Sequence, residues 1–364
     1  MQYEYLNIIG LMTGTSMDGI DISLVQTNGL DLRRLNKNYF YKYSAKTKKN
    51  LLNVLKEDHN FSFERRKFLD DFITNEHYLA LKNLNILDCC ELIGFHGQTI
   101  YHDPTNKTSI QLGNPEMLSK LLNKNVIFNY RDNDIRLGGQ GAPIAPIYHK
   151  YIIDTLDIKL PCCILNIGGI SNLTYWDGES LIGFDTGPGN ALMDDFMSKK
   201  FNKNYDKDGI FASKGSPIKE EIIKFLRFDF FKRTPPKSLD RKTFLNFYNE
   251  LIDKNYSFND IMATLAELTV ESVAFGLELL PKKIKNIIIT GGGYRNTYLM
   301  NRINNKLKVK ILTEKEININ FDFIEAELIA FLSARSIYNL PLTFPSTTGI
   351  FKASSGGILY KKPF

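Results

Sequence analysis

The feature that most constrains the fold is one arrangement of elements, three strands followed by helices and further strands, that occurs twice along the chain. In the first half, short β-branched apolar runs predict strands at residues 5–12, 20–26 and 38–43. In the second half, the corresponding runs lie at 161–167, 171–176 and 180–184. Short apolar runs that alternate with helical patterns are typical of an α/β protein with much parallel pairing. We therefore predict a duplicated α/β fold.

Helical patterns and further strands follow each set of three runs. In the first half, we predict helices at 46–56, 62–84 and 115–123 and strands at 91–95 and 125–130. In the second half, we predict helices at 190–201, 260–280, 296–307 and 325–339 and strands at 286–290 and 308–313. Glycine and proline residues between 130 and 150 mark the connection. The predicted domains are a lobe of 1–135 with about 345–364, and a lobe of 136–344.

Length and charge narrow the class of protein. A chain of 364 residues is long enough for two domains of roughly 150 residues, each with its own core. The net charge of +6 is modest, and the basic runs at 46–49 and 282–285 are short, so we expect a solvated Lys-rich surface and no nucleic-acid partner. The four cysteines form two vicinal pairs, which favours small buried side chains over metal or disulfide chemistry.

The beginning of the chain and its hydropathy point to a cytoplasmic protein. The first residues lack a basic segment and include Glu4, which is not typical of a signal peptide. No apolar stretch approaches the roughly 20 residues that a bilayer requires. We therefore expect a cytoplasmic location and no membrane partner.

The turn between the first two predicted strands has the composition of a phosphate site. Glycines free the backbone amides from side-chain bulk, two hydroxyls lie between them, and the carboxylates of Asp18 and Asp21 could reach Mg²⁺ directly or through water. The alternative is a plain hairpin turn rich in turn-forming residues, and the turn alone favours neither. The residues predicted to bind ATP here are Gly14, Thr15, Ser16, Met17, Asp18, Gly19, Ile20 and Asp21.

Three further glycine-rich turns follow predicted strands. Gly168 and Gly169 lie in a hairpin turn that corresponds to the first one. Asp185 lies where a strand meets a helix, a position at which a carboxylate can act as a general base. The turn with Gly291, Gly292, Gly293 and Asn296 would let a base or ribose approach the backbone. Each turn alone could be structural, but together they predict one ATP cleft.

Standard nucleotide and hydrolase motifs are absent from the sequence. There is no GxxxxGK[ST] and no GxGxxG between a first strand and a helix. The protein-kinase markers and the GxSxG elbow of serine hydrolases are also missing. A nucleotide site in this chain must therefore be of a type other than these.

The chain resembles the superfamily of actin, sugar kinases and the Hsp70 ATPase, whose two halves each carry a phosphate hairpin. More specific strings resemble the anhydro-N-acetylmuramic acid kinase family, in order and over essentially the whole chain. These strings are GLMTGTSMDGID, IGFHGQTIYHDP, RLGGQGAPIAPIYH, LNIGGISNLT, FDTGPGNALMD, GGGYRN and IEAELIAF. The sequence departs from the family pattern at Asn129, where Asp is usual, and at Arg136 and Leu137, where small residues are common.

The resemblance implies a fold, a reaction and a set of residues. The fold would be the two-domain, ribonuclease-H-like one, with mixed sheets flanked by helices. ATP would phosphorylate the 6-oxygen of 1,6-anhydro-N-acetylmuramic acid while water opens the anhydro bridge, with Asp185 as the base, Mg²⁺ as cofactor, and a homodimer as the assembly. The residues that match motif positions facing the sugar are His96, Gln98, Thr99, Arg131 and Glu325.

Some of these assignments have structural alternatives. Glu325 could equally be an acid at a helix start, which the helix dipole favours. The histidines lack metal-ligand spacing, so ordinary hydrogen-bonded histidines are the alternative to a sugar contact at His96. At the level of the whole chain, the alternatives are another sugar or carboxylate kinase of the superfamily, or a non-kinase ATPase that switches its cleft.

Overall fold

The computed structural model describes residues 3–14, 16–55, 57, 59–103, 105–239 and 241–363, with the side chains of 241 and 242 left out of the description. The chain divides into two compact units. The first consists of Met1–Tyr151 and Asp322–Phe364, and the second of Ile152–Phe321. The predicted lobes had their boundaries at 135 and 344, so the structure assigns the segments 136–151 and 322–344 to the first unit.

Helices and strands alternate through both units. The chain begins with β1 (Leu6–Met12), β2 (Gly19–Thr27), β3 (Leu32–Lys42), α1 (Ala45–Val54), α2 (Phe63–Leu81), β4 (Leu92–Phe95), β5 (Gln98–Asp103), β6 (Thr108–Leu112), α3 (Pro115–Leu122), β7 (Asn125–Phe128), α4 (Asp132–Arg136) and α5 (Pro146–Thr155). It continues with β8 (Cys162–Ile167), β9 (Ile170–Trp176), β10 (Leu181–Pro188), α6 (Ala191–Phe201), α7 (Lys219–Leu226), α8 (Asp229–Lys232), α9 (Leu245–Ile252), α10 (Phe258–Glu278), β11 (Asn286–Thr290), α11 (Thr297–Leu307), β12 (Lys310–Leu312) and α12 (Glu314–Ile317). It ends with α13 (Ile324–Ile337), α14 (Pro345–Thr348) and β13 (Ile358–Tyr360).

The two main sheets share one topology. The sheet of the first unit has the order β13-β7-β4-β1-β2-β3, and that of the second has β10-β9-β8-β11-β12. In each, an antiparallel three-strand meander is followed by two strands parallel to its first strand. This repeated arrangement confirms the predicted duplicated, ribonuclease-H-like α/β class with mixed sheets flanked by helices.

Polar side chains mark where several helices begin. Ser62 accepts a hydrogen bond from the Arg65 amide ahead of α2, and Ser257 accepts one from the Asp260 amide ahead of α10. Asn114 caps α3, which has a proline in its first turn. Such caps satisfy amides that have no partner within the helix. The sequence therefore predicts these starts to within a few residues.

Several parts of the secondary structure were not predicted, among them helices α4, α5, α7, α8 and α9, strand β13 and two features of the first unit. Strands β5 and β6 form a separate antiparallel pair in the region that the sequence analysis interpreted only for its HGQT motif. Strand β3 begins at Leu32 rather than at 38, because a register shift between Leu24 and Val25 lets its pairing with β2 continue past the irregularity. Both features depend on cross-strand partners that a single segment does not reveal.

Helix α13 packs against the backbone of the first sheet. Gly10 in β1 and Gly94 in β4 are paired across the sheet, and α13 contacts both strands. A Cβ atom on Gly10 would lie 1.9 Å from the Ala326 carbonyl oxygen, and one on Gly94 would lie 2.3 Å from the Ser333 hydroxyl. The helix therefore rests on two positions that have no side chain, which explains why 322–344 belongs to the first unit.

We expect Gly10→Ala to destabilise the protein, because the added methyl group would force α13 away from the sheet. Overpacking of this kind typically costs about 1–3 kcal/mol. Urea unfolding should show a lower midpoint for this variant. Gly14→Ala is the matched control, since its Cβ would make only ordinary contacts with Ser16 among the described residues, at 3.6 Å from the hydroxyl and 4.0 Å from the amide nitrogen. Equal midpoints for the two variants would contradict the close packing of α13.

Candidate active site

In the first unit, the turn between β1 and β2 is held by a short network. Met12 pairs with Asp21 across the hairpin. The Ser16 hydroxyl donates to Asp18 Oδ1 at 2.7 Å, and the Tyr43 amide donates to the Asp18 carbonyl oxygen at 2.9 Å. Thr15, which was predicted to bind ATP, lies outside the described residues. The remaining turn residues are thus ordered by contacts to each other and to the residue that follows β3.

The side chains of this turn face two environments. Met17 and Ile20 are buried in the apolar core of the first unit, so a ligand could reach only their backbone. Gly19 is also buried, whereas Asp18 is exposed and Asp21 is half-buried. Among the residues that the structure describes, no group of three or more His, Cys, Asp and Glu side chains could hold a metal ion. Any cation here would need further ligands from its substrate or from water.

The HGQT segment lies directly against this turn. The Thr13 hydroxyl donates to the Gly97 carbonyl oxygen at 2.8 Å, and Gln98 Nε2 donates to the Gly14 carbonyl oxygen at 3.2 Å. Gln98 is fully buried, yet its Oε1 atom has no hydrogen-bond partner within the described part of the chain. Thr99 accepts a bond from Gln111 Nε2 at 3.3 Å. The structure therefore brings Gln98 next to the predicted phosphate turn and leaves it one unused acceptor.

His96 and Arg131 form a second polar group in this unit. His96 Nδ1 lies 3.0 Å from the Gly97 carbonyl oxygen, while its Nε2 faces Arg131 Nη2 at 3.3 Å. Arg131 Nη1 donates to the Gly141 carbonyl oxygen at 2.7 Å. Burial, aided by the Arg131 charge, lowers the pKa of His96 to about 3. We infer a neutral imidazole that carries its proton on Nδ1 and accepts from Arg131, so that the guanidinium is held in a fixed orientation.

Asp134 holds the loop that contacts Arg131, and the sequence analysis did not identify it. It is buried and accepts from the Gly141 amide at 2.7 Å and from the Thr348 hydroxyl at 2.6 Å. A Cβ on Gly139 would lie 2.2 Å from its carboxylate. The glycine-rich loop 138–141 thus wraps around a buried carboxylate, and Gly141 then contacts Arg131. A short-range signal exists, namely an acidic residue four positions before a run of glycines.

The backbone accounts for two residues of the sequence analysis, one that departs from the family pattern and one predicted to contact the sugar. Asn129 adopts φ of 62°, a left-handed conformation that asparagine tolerates better than most residues. Glu325 lies in the first turn of α13, where a carboxylate is favoured by the helix dipole. The sugar contact at Glu325 stays a prediction.

In the second unit, the β8–β9 turn is joined to the start of α6. The Gly168 carbonyl oxygen accepts from the Asn190 amide at 2.7 Å, and the Gly169 carbonyl oxygen accepts from the Gly189 amide at 2.9 Å. A Cβ on Gly189 would lie 2.2 Å from the Gly168 oxygen. These bonds orient the carbonyl groups of the turn toward the helix start. The hairpin is therefore fixed by the segment that follows Asp185.

Asp185 is a buried carboxylate that lies within β10 rather than at the end of a strand. The strand continues to Pro188 after an irregularity between Asp185 and Gly187. Its amide donates to the Lys237 carbonyl oxygen at 2.9 Å, and its Oδ2 accepts from the Leu239 amide at 2.8 Å. Both the backbone and the carboxylate are thus tied to residues 237–239. Sequence reasoning found Asp185 but missed this segment, which lies more than fifty residues away in the chain.

The third glycine-rich turn lies beside the hairpin of the same unit. A Cβ on Gly291 would lie 2.2 Å from Asn166 Oδ1, and one on Gly293 would lie 2.3 Å from Ile167 Cγ2. Strands β8 and β11 are neighbours in the sheet, so their ends meet here. Asn296 caps α11 by accepting from the Leu299 amide at 3.0 Å. The structure brings this turn and the second hairpin together and gives Asn296 a structural function.

Comparisons with known proteins agree on one family. A sequence model described as Anhydro-N-acetylmuramic acid kinase matches residues 6–362. A protein of that name from Rhodopseudomonas palustris (strain HaA2) is 35% identical, over 97% of this chain and 99% of the relative. The protein of the same name from Azorhizobium caulinodans is 37% identical, over 98% of this chain and 99% of the relative.

Similarity to solved structures is remote. The activator of the 2-hydroxyisocaproyl-CoA dehydratase from Clostridium difficile, with bound ADPNP, has 12% identity and a TM-score of 0.43, over 92% of this chain and 97% of that chain. A similarity of this size supports no functional argument.

Across the described residues, no helix is long and apolar enough to cross a membrane.

The buried neutral state of His96 predicts an acid-dependent loss of stability. As the pH falls below about 6.5, the unfolded chain protonates this histidine while the folded protein does not, so the free energy of unfolding falls by up to about 1.4 kcal/mol per pH unit. His96→Gln removes this contribution. Urea unfolding between pH 7.5 and 4.5 should show a shallower decline for the variant, and parallel declines would contradict the assignment.

Proposed function

Because this chain belongs to the anhydro-N-acetylmuramic acid kinase family, we propose that it converts 1,6-anhydro-N-acetylmuramic acid, ATP and water to N-acetylmuramic acid 6-phosphate and ADP, a step of cell-wall peptidoglycan recycling. The observation that carries the proposal is the buried, hydrogen-bonded carboxylate of Asp185 next to a glycine-rich hairpin. The family match spans nearly the whole chain, so an enzyme with an alcohol group as phosphate acceptor is the function that the sequence supports.

In the proposed reaction, Asp185 acts as the general base. It takes a proton from the water that attacks the anomeric carbon, and the bond from that carbon to the bridge oxygen breaks. The bridge oxygen, which becomes the 6-oxygen, attacks the γ-phosphorus of ATP, and ADP leaves. The Leu239 amide at 2.8 Å fixes the orientation of the carboxylate. A positioned base of this kind typically contributes a factor of about 10² to 10⁴ in rate.

The proposed nucleotide contacts are mainly backbone groups. In the first unit, amides of the turn at residues 14–19 would hold phosphate oxygens. In the second unit, Gly168 and Gly169 would do the same, and the turn at Gly291–Gly293 would leave room for the adenosine. Backbone amides suit this task because they carry partial positive charge and need no side-chain reorganisation.

Mg²⁺ fits the first hairpin as a cofactor that is shared with the substrate. The exposed Asp18 carboxylate and the half-buried Asp21 lie on the same turn. Mg²⁺ is usually bound by one or two carboxylates together with waters and substrate phosphates, so Asp18 and Asp21 would hold it. When bound, the ion would neutralise negative charge on the phosphates.

The proposed sugar contacts are in the first unit. Arg131, oriented by His96 and Gly141, suits the carboxylate of the lactyl group through a charge-assisted bond. The buried Oε1 of Gln98, which has no hydrogen-bond partner among the described residues, suits a hydroxyl or amide donor of the sugar, because a buried acceptor without a partner is costly. Thr99 and Glu325 complete the proposed set.

We also propose a cytoplasmic homodimer. A cytoplasmic location agrees with a nucleotide-dependent reaction and with the absence of a membrane-spanning helix among the described residues. The dimer rests on the family resemblance. Light scattering coupled to size-exclusion chromatography should give about twice the monomer mass of 41.7 kDa, and a single peak at the monomer mass would contradict the dimer.

We expect Asp185→Asn to lower kcat by at least about 10²-fold while the sugar and ATP still bind, because the amide keeps the shape but cannot take a proton. Turnover is measured by coupled ADP release, and binding by calorimetry. Asp177→Asn is the matched control. This carboxylate also accepts hydrogen bonds from backbone amides, but it lies in the turn that joins β9 to β10.

Two results would contradict the proposed function. The first is near-normal turnover in Asp185→Asn. The second is wild-type ATP hydrolysis that proceeds equally well without the anhydro sugar, since that would indicate an ATPase and not a kinase.

A further inference from the structure

Lys237 is a buried lysine with an unusual set of partners. Only 3% of its surface is exposed. Its Nζ atom lies 4.4 Å from the centre of the Phe230 ring and 5.9 Å from that of Phe184, and it donates to the Phe230 carbonyl oxygen at 3.2 Å. Within the described part of the chain, its partners are therefore aromatic faces and a carbonyl group, and none of them is a carboxylate in a salt bridge.

A buried cation without a salt bridge is costly for stability. Burial, with a smaller contribution from the charge of Arg233, lowers the pKa of Lys237 to about 8, while Asp185 acts in the opposite direction. Among the described residues, Arg233 in the segment after α8 and Asp185 in β10 are the charged groups that act on this ammonium group. Lys237 therefore still carries its charge at pH 7, at a net cost to the folded state.

The segment that carries this cation also holds Asp185. The Lys237 carbonyl oxygen accepts from the Asp185 amide at 2.9 Å, and the Leu239 amide donates to Asp185 Oδ2 at 2.8 Å. Lys237, Ser238 and Leu239 are all buried. Leu239 also lines a small cavity together with Gly169 and Pro188, next to the second hairpin. One three-residue segment thus contacts the predicted base through a carbonyl group and an amide, and it also carries a lysine whose charge Asp185 stabilises.

We propose that Lys237 is a positioning residue for the reaction, whose buried charge keeps Asp185 ionised while its segment orients the carboxylate. The inference rests on the proposed function, in which Asp185 must be an anion to accept a proton. It explains why an unpaired cation is retained in an aromatic environment where an apolar side chain would cost less. A nearby opposite charge favours the ionised form of a carboxylate.

The first test compares pH profiles of kcat/KM. Lys237→Met removes the charge but keeps an unbranched side chain of similar length, so the acid limb of the profile should move to higher pH by about one unit. The ratio of the variant's kcat/KM to that of wild type should then be about tenfold smaller on the acid limb than on the plateau. Lys237→Arg keeps a cation and should leave the acid limb at its wild-type position. Lys232→Met, at an exposed lysine paired with Asp229, is the control and should match wild type.

The second test measures stability and does not use activity. A double-mutant cycle of Lys237→Met and Asp185→Asn, followed by urea unfolding, reports the coupling between the two charges. We expect non-additive effects at pH 7 that disappear at pH 10, where Lys237, with a pKa of about 8, is neutral. Lys237→Met alone should be at least as stable as wild type at pH 7, because it removes a buried cation.

The outcomes separate this inference from the proposed function. If wild type does not phosphorylate the sugar, the proposed function fails, while the double-mutant cycle still tests the charge coupling. Additive effects at every pH would overturn the role of Lys237. A Lys237→Met profile whose acid limb coincides with that of wild type would overturn it as well, even if the overall rate falls.

Discussion

The arrangement of the second unit depends on one buried carboxylate. Asp185 lies inside a strand, away from bulk water, so an ionised carboxylate at this position needs donors or cations within the protein. The Leu239 amide binds it directly, and Lys237 brings a positive charge on the same segment. The next residues of the strand lead to Gly189 and Asn190, whose amides hold the second hairpin. The proposed base, the lysine cation and the proposed phosphate turn are thereby positioned by neighbouring stretches of chain.

In the first unit, close packing positions the proposed binding groups. Because Gly10 and Gly94 have no side chains, α13 can lie against the sheet. Strands β1 and β2 of that sheet are joined by the first hairpin turn. Thr13 and Gln98 then connect the hairpin to the strand pair β5–β6. Elsewhere in the unit, the neutral His96 and the loop around Asp134 fix the guanidinium of Arg131. The polar groups proposed to bind the sugar are thus oriented before a ligand arrives.

The sequence predicts the local features well and the distant contacts poorly. Strands β1, β2 and β8 follow from β-branched apolar runs, and helix starts follow from serine and asparagine caps, because these signals act over a few residues. The contact of Lys237 with Asp185 and the passage of α13 into the first unit involve residues far apart in the chain, so no local pattern reveals them. Asn296 shows the converse: its place in a glycine-rich turn suggested a ligand contact, and its side chain caps a helix.

The central claim is that water opens the anhydro ring while the freed oxygen receives the phosphoryl group, with Asp185 as the base. The most direct measurement is to incubate the protein with ATP, Mg²⁺ and 1,6-anhydro-N-acetylmuramic acid in ¹⁸O-labelled water and to locate the label in the product by mass spectrometry. The account predicts one ¹⁸O atom at the anomeric hydroxyl and none in the phosphate ester. A phosphorylated product that retains the intact bridge, or label in the transferred phosphoryl group, would contradict it.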